Sequence, residues 1–108
     1  MIGGVATMAM WDRYPLNPGH AVIAPTPHDA SWFEATAMEA DEMPRLADDA
    51  RRIVVEKHRP IGFKCGVNDG PEAWQTAPHR HLYLIPRYRG DVPNERGSVR
   101  RIVPARAA

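Results

Sequence analysis

The chain has 108 residues, enough for one compact core and too few for two independent ones. Hydrophobic residues at 44% and charged residues at 25% are in the range of water-soluble globular proteins, and no apolar run approaches the roughly 20 residues of a membrane span. The net charge of +1 gives no general pull on a polyanion, and a single cysteine excludes an internal disulfide and the usual cysteine-rich structural zinc sites.

Residues 1–10 are apolar but lack a basic n-region and a convincing cleavage site, so they do not read as a signal peptide, and a cytoplasmic location is expected. Residues 5–11 read as a strand, broken by Tyr14-Pro15-Leu16-Asn17-Pro18-Gly19, where two prolines and a glycine force a turn. Residues 20–24 alternate towards a second strand ended by Pro25 and Pro27. The pair is expected to be antiparallel, which brings Asp12 near His20. A helical turn is expected within residues 29–35.

Thr36 with Glu39 forms a capping-box signal, and Met43, Leu46, Ala47, Ala50, Ile53 and Val54 recur at the spacing of one helical face. These predict a helix over 37–58. Pro44, which has no N–H, must either kink that helix or lie in a first turn beginning near Asp41. Residues 61–67 read as a third strand with Phe63, Cys65 and Val67 on one face, and Cys65 is expected to be a small buried apolar residue. Asn68-Asp69-Gly70-Pro71 is a turn signal, and residues 79–85 read as the last strand. Beyond Pro86, six of the 14 basic residues face only Asp91 and Glu95. This basic segment, 88–108, reads either as a polyanion-facing end or as a solvated tail.

The chemistry concentrates in Pro78-His79-Arg80-His81-Leu82-Tyr83-Leu84-Ile85-Pro86-Arg87. Side chains alternate along a strand, so His79, His81 and Tyr83 project from one face with neighbours about 7 Å apart. A neutral imidazole offers one nitrogen as nucleophile or base while the other is held by a hydrogen bond. Spacing alone leaves three uses open: phosphate chemistry, metal ligation with a distant His20 or His28 as third ligand, and a structural pair.

The sequence resembles the histidine triad superfamily of nucleotide-binding proteins. That family's signature is His-φ-His-φ-His-φ-φ, with φ apolar, preceded by a Gly-Gln-Ser/Thr segment and often followed by Ile-Pro-Arg-Tyr. Here Gln75-Thr76-Ala77-Pro78-His79-Arg80-His81-Leu82-Tyr83-Leu84-Ile85-Pro86-Arg87-Tyr88 matches much of it. Residues 12–25 resemble the family's Asp-x-x-Pro-x-x-Pro-Gly-His-x-x-x-x-Pro segment. His28 falls where a basic pair ending in histidine is usual, and Asn68 lies 11 positions before His79, the usual interval.

The resemblance implies an α+β HIT-like fold, an antiparallel sheet of about five strands with one long and one short helix, commonly dimeric. It implies one domain over residues 1–108, with 1–8 a shortened beginning whose missing walls a partner subunit would supply. It further implies that His81 attacks the α-phosphorus of a nucleotide conjugate, a dinucleoside polyphosphate or a nucleoside phosphoramidate, to form a nucleotidyl-histidine. His79 and His20 complete the catalytic set. Asp12 would hold ribose hydroxyls, Trp11 and Met10 would flank the base, and Asn68, Gln75, Thr76 and Tyr83 would meet phosphate or ribose oxygens. His28 would aid leaving-group protonation. Trp32, Phe33 and Trp74 read as packing or loop-covering aromatics. No cofactor, metal, membrane or polymeric nucleic acid is expected as a partner. Alternatives are a nucleotidyl transferase and a nucleotide-binding protein of weakened activity.

Departures from the pattern point to a divergent substrate. Tyr83 replaces the third histidine, and its phenol can donate one hydrogen bond but cannot become a cation near pH 7. Trp74 stands at a glycine position where an indole would narrow the site, and Lys64 replaces a frequent Asn. Thr26-Pro27 replaces the basic pair. Arg80 occupies an apolar position, where its guanidinium must find water or an acid. The arginines after Pro86 would be available for distal phosphates.

Overall fold

The structure, a computed structural model, describes residues 1–27, 31–75, 77 and 79–106. Five strands, β1 (Ile2–Gly3), β2 (Thr7–Trp11), β3 (Ala21–Pro25), β4 (Gly62–Gly66) and β5 (Leu82–Arg87), form one antiparallel sheet in the order β1-β2-β3-β5-β4. A single long helix, α1 (Ala37–His58), packs on one face. Among the described residues there are four 3-10 turns, of which Trp32–Glu34 is the one expected before α1; it is capped by the Ser31 hydroxyl accepting from Phe33 N–H.

Local chemistry accounts for α1. The Thr36 hydroxyl accepts from Glu39 N–H and the Glu39 carboxylate accepts from Thr36 N–H, closing the expected capping box. Arg59, left-handed at φ 52, ends the helix with its N–H on the Val55 carbonyl. Pro44 lies inside the helix, where it leaves the Ala40 carbonyl without its usual donor. Met43, Leu46, Ala50 and Val54 are buried, and Ala9, Ala21, Ile23 and Leu84 rise to meet the first three from the sheet. Each fully buried large side chain among them stabilises by about 1.5–3 kcal/mol.

Register divides the sheet into two faces. Directly paired residues share a face, so Ala9, Ile23 and Leu82, like Trp11, Ala21, Leu84 and Cys65, point towards α1. Met10, Val22, Tyr83 and Gly66 point the other way, with Lys64 and Ile85 beside them.

A two-residue strand has no readable period, and β1 escaped the sequence reading. Glu42 on α1 secures its turn. Its carboxylate accepts from the N–H groups of Val5, Ala6 and Thr7 and from the Thr7 hydroxyl, and these bonds hold its pKa below the usual range. A Cβ on Gly4 would sit 1.8 Å from that carboxylate, so a larger residue there would displace the Glu42 side chain from this position.

Two expectations are corrected. β5 begins at Leu82, leaving His79–His81 before the strand with a bend at His79, because the pairing of β5 with β3 ends at Ile23. Cys65 is exposed: β4 is the edge strand, and α1 does not extend over it.

Trp74 is left-handed at φ 63 and 81% exposed. Its indole lies in solvent, and the backbone conformation is the one that suits glycine. Trp74→Gly is expected to stabilise the fold by about 0.5–1 kcal/mol, the steric relief outweighing the glycine's added chain entropy. A urea titration checks this; a lower midpoint would show that the indole makes contacts worth more than the strain.

Candidate functional site

Of the residues the sequence singles out, His20 stands beside both Asp12 and His81. His81 is half-buried, and its Nδ1 lies 3.0 Å from the His79 carbonyl. A carbonyl can only accept, so Nδ1 carries the proton and Nε2 keeps the lone pair of the neutral ring. His79 in turn donates through Nε2 to the Pro25 carbonyl at 2.7 Å, tying the segment before β5 to the end of β3.

Arg80, between the two histidines, alternates to the α1 side and is 1% exposed. It finds the acid its position demands. Its Nη2 pairs with the Glu39 carboxylate, 2% exposed, and its Nη1 donates to the Ser31 carbonyl at 2.7 Å. Glu39 is therefore both the capping-box acid and the counter-ion of Arg80. The capping-box signal showed the first role; no local signal showed the second. Asp69 holds the same Ser31–Trp32 segment by accepting from Trp32 N–H at 2.6 Å and from the Ser31 hydroxyl.

His20 is 6% exposed. Its Nδ1 accepts from Leu16 N–H at 3.1 Å, so Nε2 carries the proton and faces Asp12 Oδ2 at 3.5 Å, an electrostatic contact longer than a well-formed hydrogen bond. Burial pushes the His20 pKa down; Asp12 opposes that shift and the nearby His81 reinforces it. His20 is thus held neutral. Below the unfolded value near 6.5 the unfolded chain takes up a proton that the folded chain resists, so stability is full above pH 6.5 and falls as pH drops towards the lower folded value. Urea midpoints between pH 7.5 and 5 should decline for the native chain and decline less for His20→Asn; parallel curves would remove His20 as the source.

Asp12 also caps its turn, Oδ1 accepting from Tyr14 N–H at 2.8 Å. Trp11 does not join the histidines. Strand alternation puts it on the α1 side, edge-on to His58 and beneath the Lys57 ammonium at 5.4 Å. Its neighbours Met10 and Met8 lie on the histidine face with Val22. Gln75 braces the turn after β4, its Oε1 accepting from Gly70 N–H at 2.7 Å, and Asn68 is exposed at the start of that turn. Thr76 and His28 lie outside the described residues. Phe33, like Trp74, is largely exposed, whereas Trp32 packs on the core.

Tyr83 crosses to β4. A Cβ on Gly66 would stand 2.5 Å from its hydroxyl, so the phenol lies in the space a side chain would take. Beyond it, Lys64 contacts Glu95 and donates to the Ser98 hydroxyl, and Arg87 binds Asp91 through two nitrogens and Glu95 through a third. Those bonds hold the Asp91 and Glu95 pKa values below the usual carboxylate range and raise that of Arg87. Asn17 reaches the same cluster by donating to Asp91 and to the Pro86 carbonyl. Residues 88–98 therefore fold back onto the sheet.

Among the described residues, no group of three or more His, Cys, Asp or Glu side chains is arranged to hold a metal ion, and no helix is long and apolar enough to cross a membrane.

Comparisons with known proteins agree with this geometry. Residues 6–90 match the family model described as HIT domain. Over 89 residues the chain is 33% identical to the AP-4-A phosphorylase of Mycobacterium tuberculosis, covering 82% of this chain and 46% of that protein. It is 30% identical over 83 residues to a bifunctional bis(5'-adenosyl)-triphosphatase/adenylylsulfatase of Arabidopsis thaliana, covering 77% and 46%. The chain thus spans less than half the length of these two relatives. A HIT family protein from Bacillus anthracis superposes with a TM-score of 0.79 at 27% identity, covering 84% of this chain and 64% of that one. With the matched region spanning most of the sheet, α1 and the histidine pair, the chain belongs to the HIT family.

Proposed function

We propose that the protein is a nucleotide hydrolase that attacks the α-phosphorus of a dinucleoside polyphosphate or a nucleoside phosphoramidate through His81. The observation that carries this reading is the Nδ1 contact to the His79 carbonyl, which leaves the Nε2 lone pair as nucleophile. The names of the relatives, which act on diadenosine compounds, support the substrate class.

Attack forms the Nε2–P bond as the bond from phosphorus to the leaving group breaks; the electron pair departs on a phosphate oxygen as the anion or, from a phosphoramidate, on a nitrogen that takes up a proton from solvent as it leaves. Water then cleaves the P–N bond and restores the imidazole. Positive charge gathers on His81 while it is bonded to phosphorus. A neutral His20 avoids repelling it, and the Asp12 carboxylate behind His20 offsets it. Met8, Met10 and Val22 provide the apolar surface for the base, and Asp12, at the end of that row, is the group assigned to ribose.

The test is release of AMP from diadenosine tetraphosphate or adenosine phosphoramidate by the purified chain. Tight AMP binding with no release from either would replace this reading with that of a nucleotide-binding protein. A second reading, transfer to a phosphate acceptor, is favoured by the phosphorylase name of the 33% identical relative. It requires ADP in place of AMP when inorganic phosphate is supplied. Association of two copies is proposed at the uncovered edge strand β4, where Ile61 and Cys65 are exposed, and sedimentation velocity decides it.

A further inference from the structure

The departures from the family pattern separate into two groups once their places are known. Arg80 is held below the site by Glu39, and the Trp74 side chain is in solvent. Lys64 and Tyr83 stand together. They line one open cavity of about 660 Å³ on the β4 side of the histidine face, closed by residues 94–102. Arg96 and Arg101 line the same space, with Val99 and Ile102 as its apolar wall.

Charge and position define what fits. Lys64 is paired with Glu95, the one acid of the lining, so Arg96 and Arg101 give the cavity its excess of two positive charges. Arg87 does not contribute, because Asp91 and Glu95 occupy its guanidinium. Tyr83 lies one same-face step, about 7 Å, from His81. Across the sheet, Asp12, Met10 and Val22 lie on the β2–β3 side of β5 and the cavity lies on the β4 side. A substrate whose α-phosphorus stands at His81 before attack, with its nucleoside over β2 and β3, therefore has this cavity on the side of its other end.

We propose that Lys64, Tyr83, Arg96 and Arg101 form an anion subsite for phosphate groups beyond the scissile bond, selecting a polyphosphate leaving group over an uncharged one. This rests on the hydrolase reading for its orientation. The positive lining stabilises the negative charge that the departing oxygen gains when the bond to the α-phosphorus breaks, and at neutral pH a phosphate oxygen leaves as the anion without needing a proton. Lys64 and Tyr83 would thus replace the contact that a third histidine makes in the family pattern. Free inorganic phosphate, as an acceptor, presents the same chemistry.

Calorimetric titration with tripolyphosphate tests the subsite without turnover. The native chain should bind tripolyphosphate in the presence of saturating AMP, and Arg96→Ala and Arg101→Ala should each weaken that binding by about tenfold while AMP affinity is retained. Equal binding by native and variant chains, or no binding at all, overturns the proposal, as does displacement of tripolyphosphate by AMP. Inorganic phosphate titrated alone distinguishes the sources: affinity comparable to that of tripolyphosphate marks an acceptor site and overturns the leaving-group assignment. The kinetic counterpart is a kcat/KM for diadenosine tetraphosphate that falls in both arginine variants while that for adenosine phosphoramidate does not. Binding as expected with no turnover of either substrate would count against the hydrolase reading and leave the anion subsite standing.

Discussion

His81→Ala should abolish release of AMP, lowering kcat by about 10⁴-fold or more, since removing the group that forms the covalent bond removes the pathway and not merely a contact. Its stability should change little. His81 is half-buried on the open face, and its Nδ1 contact is to a backbone carbonyl two residues away. Two measurements separate loss of the nucleophile from loss of the fold. The variant should still bind AMP, and His81→Gly should regain part of its activity on addition of imidazole, which supplies the missing nitrogen. Rapid quenching of the native chain with α-labelled substrate should place label on His81. Activity within tenfold of native in His81→Ala would sink the covalent reading.

Glu39→Gln should be the most destabilising conservative change in the chain. It keeps the size of the side chain and the capping-box acceptor, but it leaves the buried Arg80 guanidinium without its counter-ion. Removing one partner of a buried pair costs about 3–5 kcal/mol, because the remaining charge has neither water nor an opposite charge. For a chain of this size that lowers Tm by roughly 15 °C or more. Replacing both, as Arg80→Leu with Glu39→Gln, should recover much of the loss, since no unpaired charge remains and the position accepts an apolar residue in the family pattern. Urea unfolding of the singles and the double decides it. A Glu39→Gln loss below about 1 kcal/mol, or a double variant as unstable as either single, would count against the pair as the anchor of the histidine segment.

The site depends on that anchor. His79 and His81 flank Arg80, so the buried pair with Glu39 fixes the backbone of the segment that carries both imidazoles. Recovery of stability in the double variant without recovery of kcat would separate positioning from folding.

Much of this architecture was legible in the residues. Helix α1 spans the predicted 37–58 because its cap, its apolar period and its end are all local chemistry, decided within a few positions of each boundary. The four longer strands follow in order for the same reason, each bounded by prolines, glycines or a turn. The facing of Tyr83 needs only the two-residue alternation of a strand, whereas His79 and His81 precede β5, where alternation alone does not fix their direction.

What the residues left open depends on contacts distant in sequence. Alternation states that Met10 and Trp11 face opposite ways, but only pairing with Val22 and Ala21 tells which of them faces the histidines. The partner of Arg80 is 41 positions away, and the acid that secures the turn after β1 is 35 to 37 positions from the groups it holds. Lys64 meets Glu95 across 31 positions, which turns a segment that reads as a basic tail into one wall of a cavity beside Tyr83. Local propensity and period act through neighbours along the chain, and so they define elements and their exposed edges. Ion pairs, register and cavities exist only when the sheet has closed, and these determine which departures from the family pattern bear on the chemistry and which hold the scaffold.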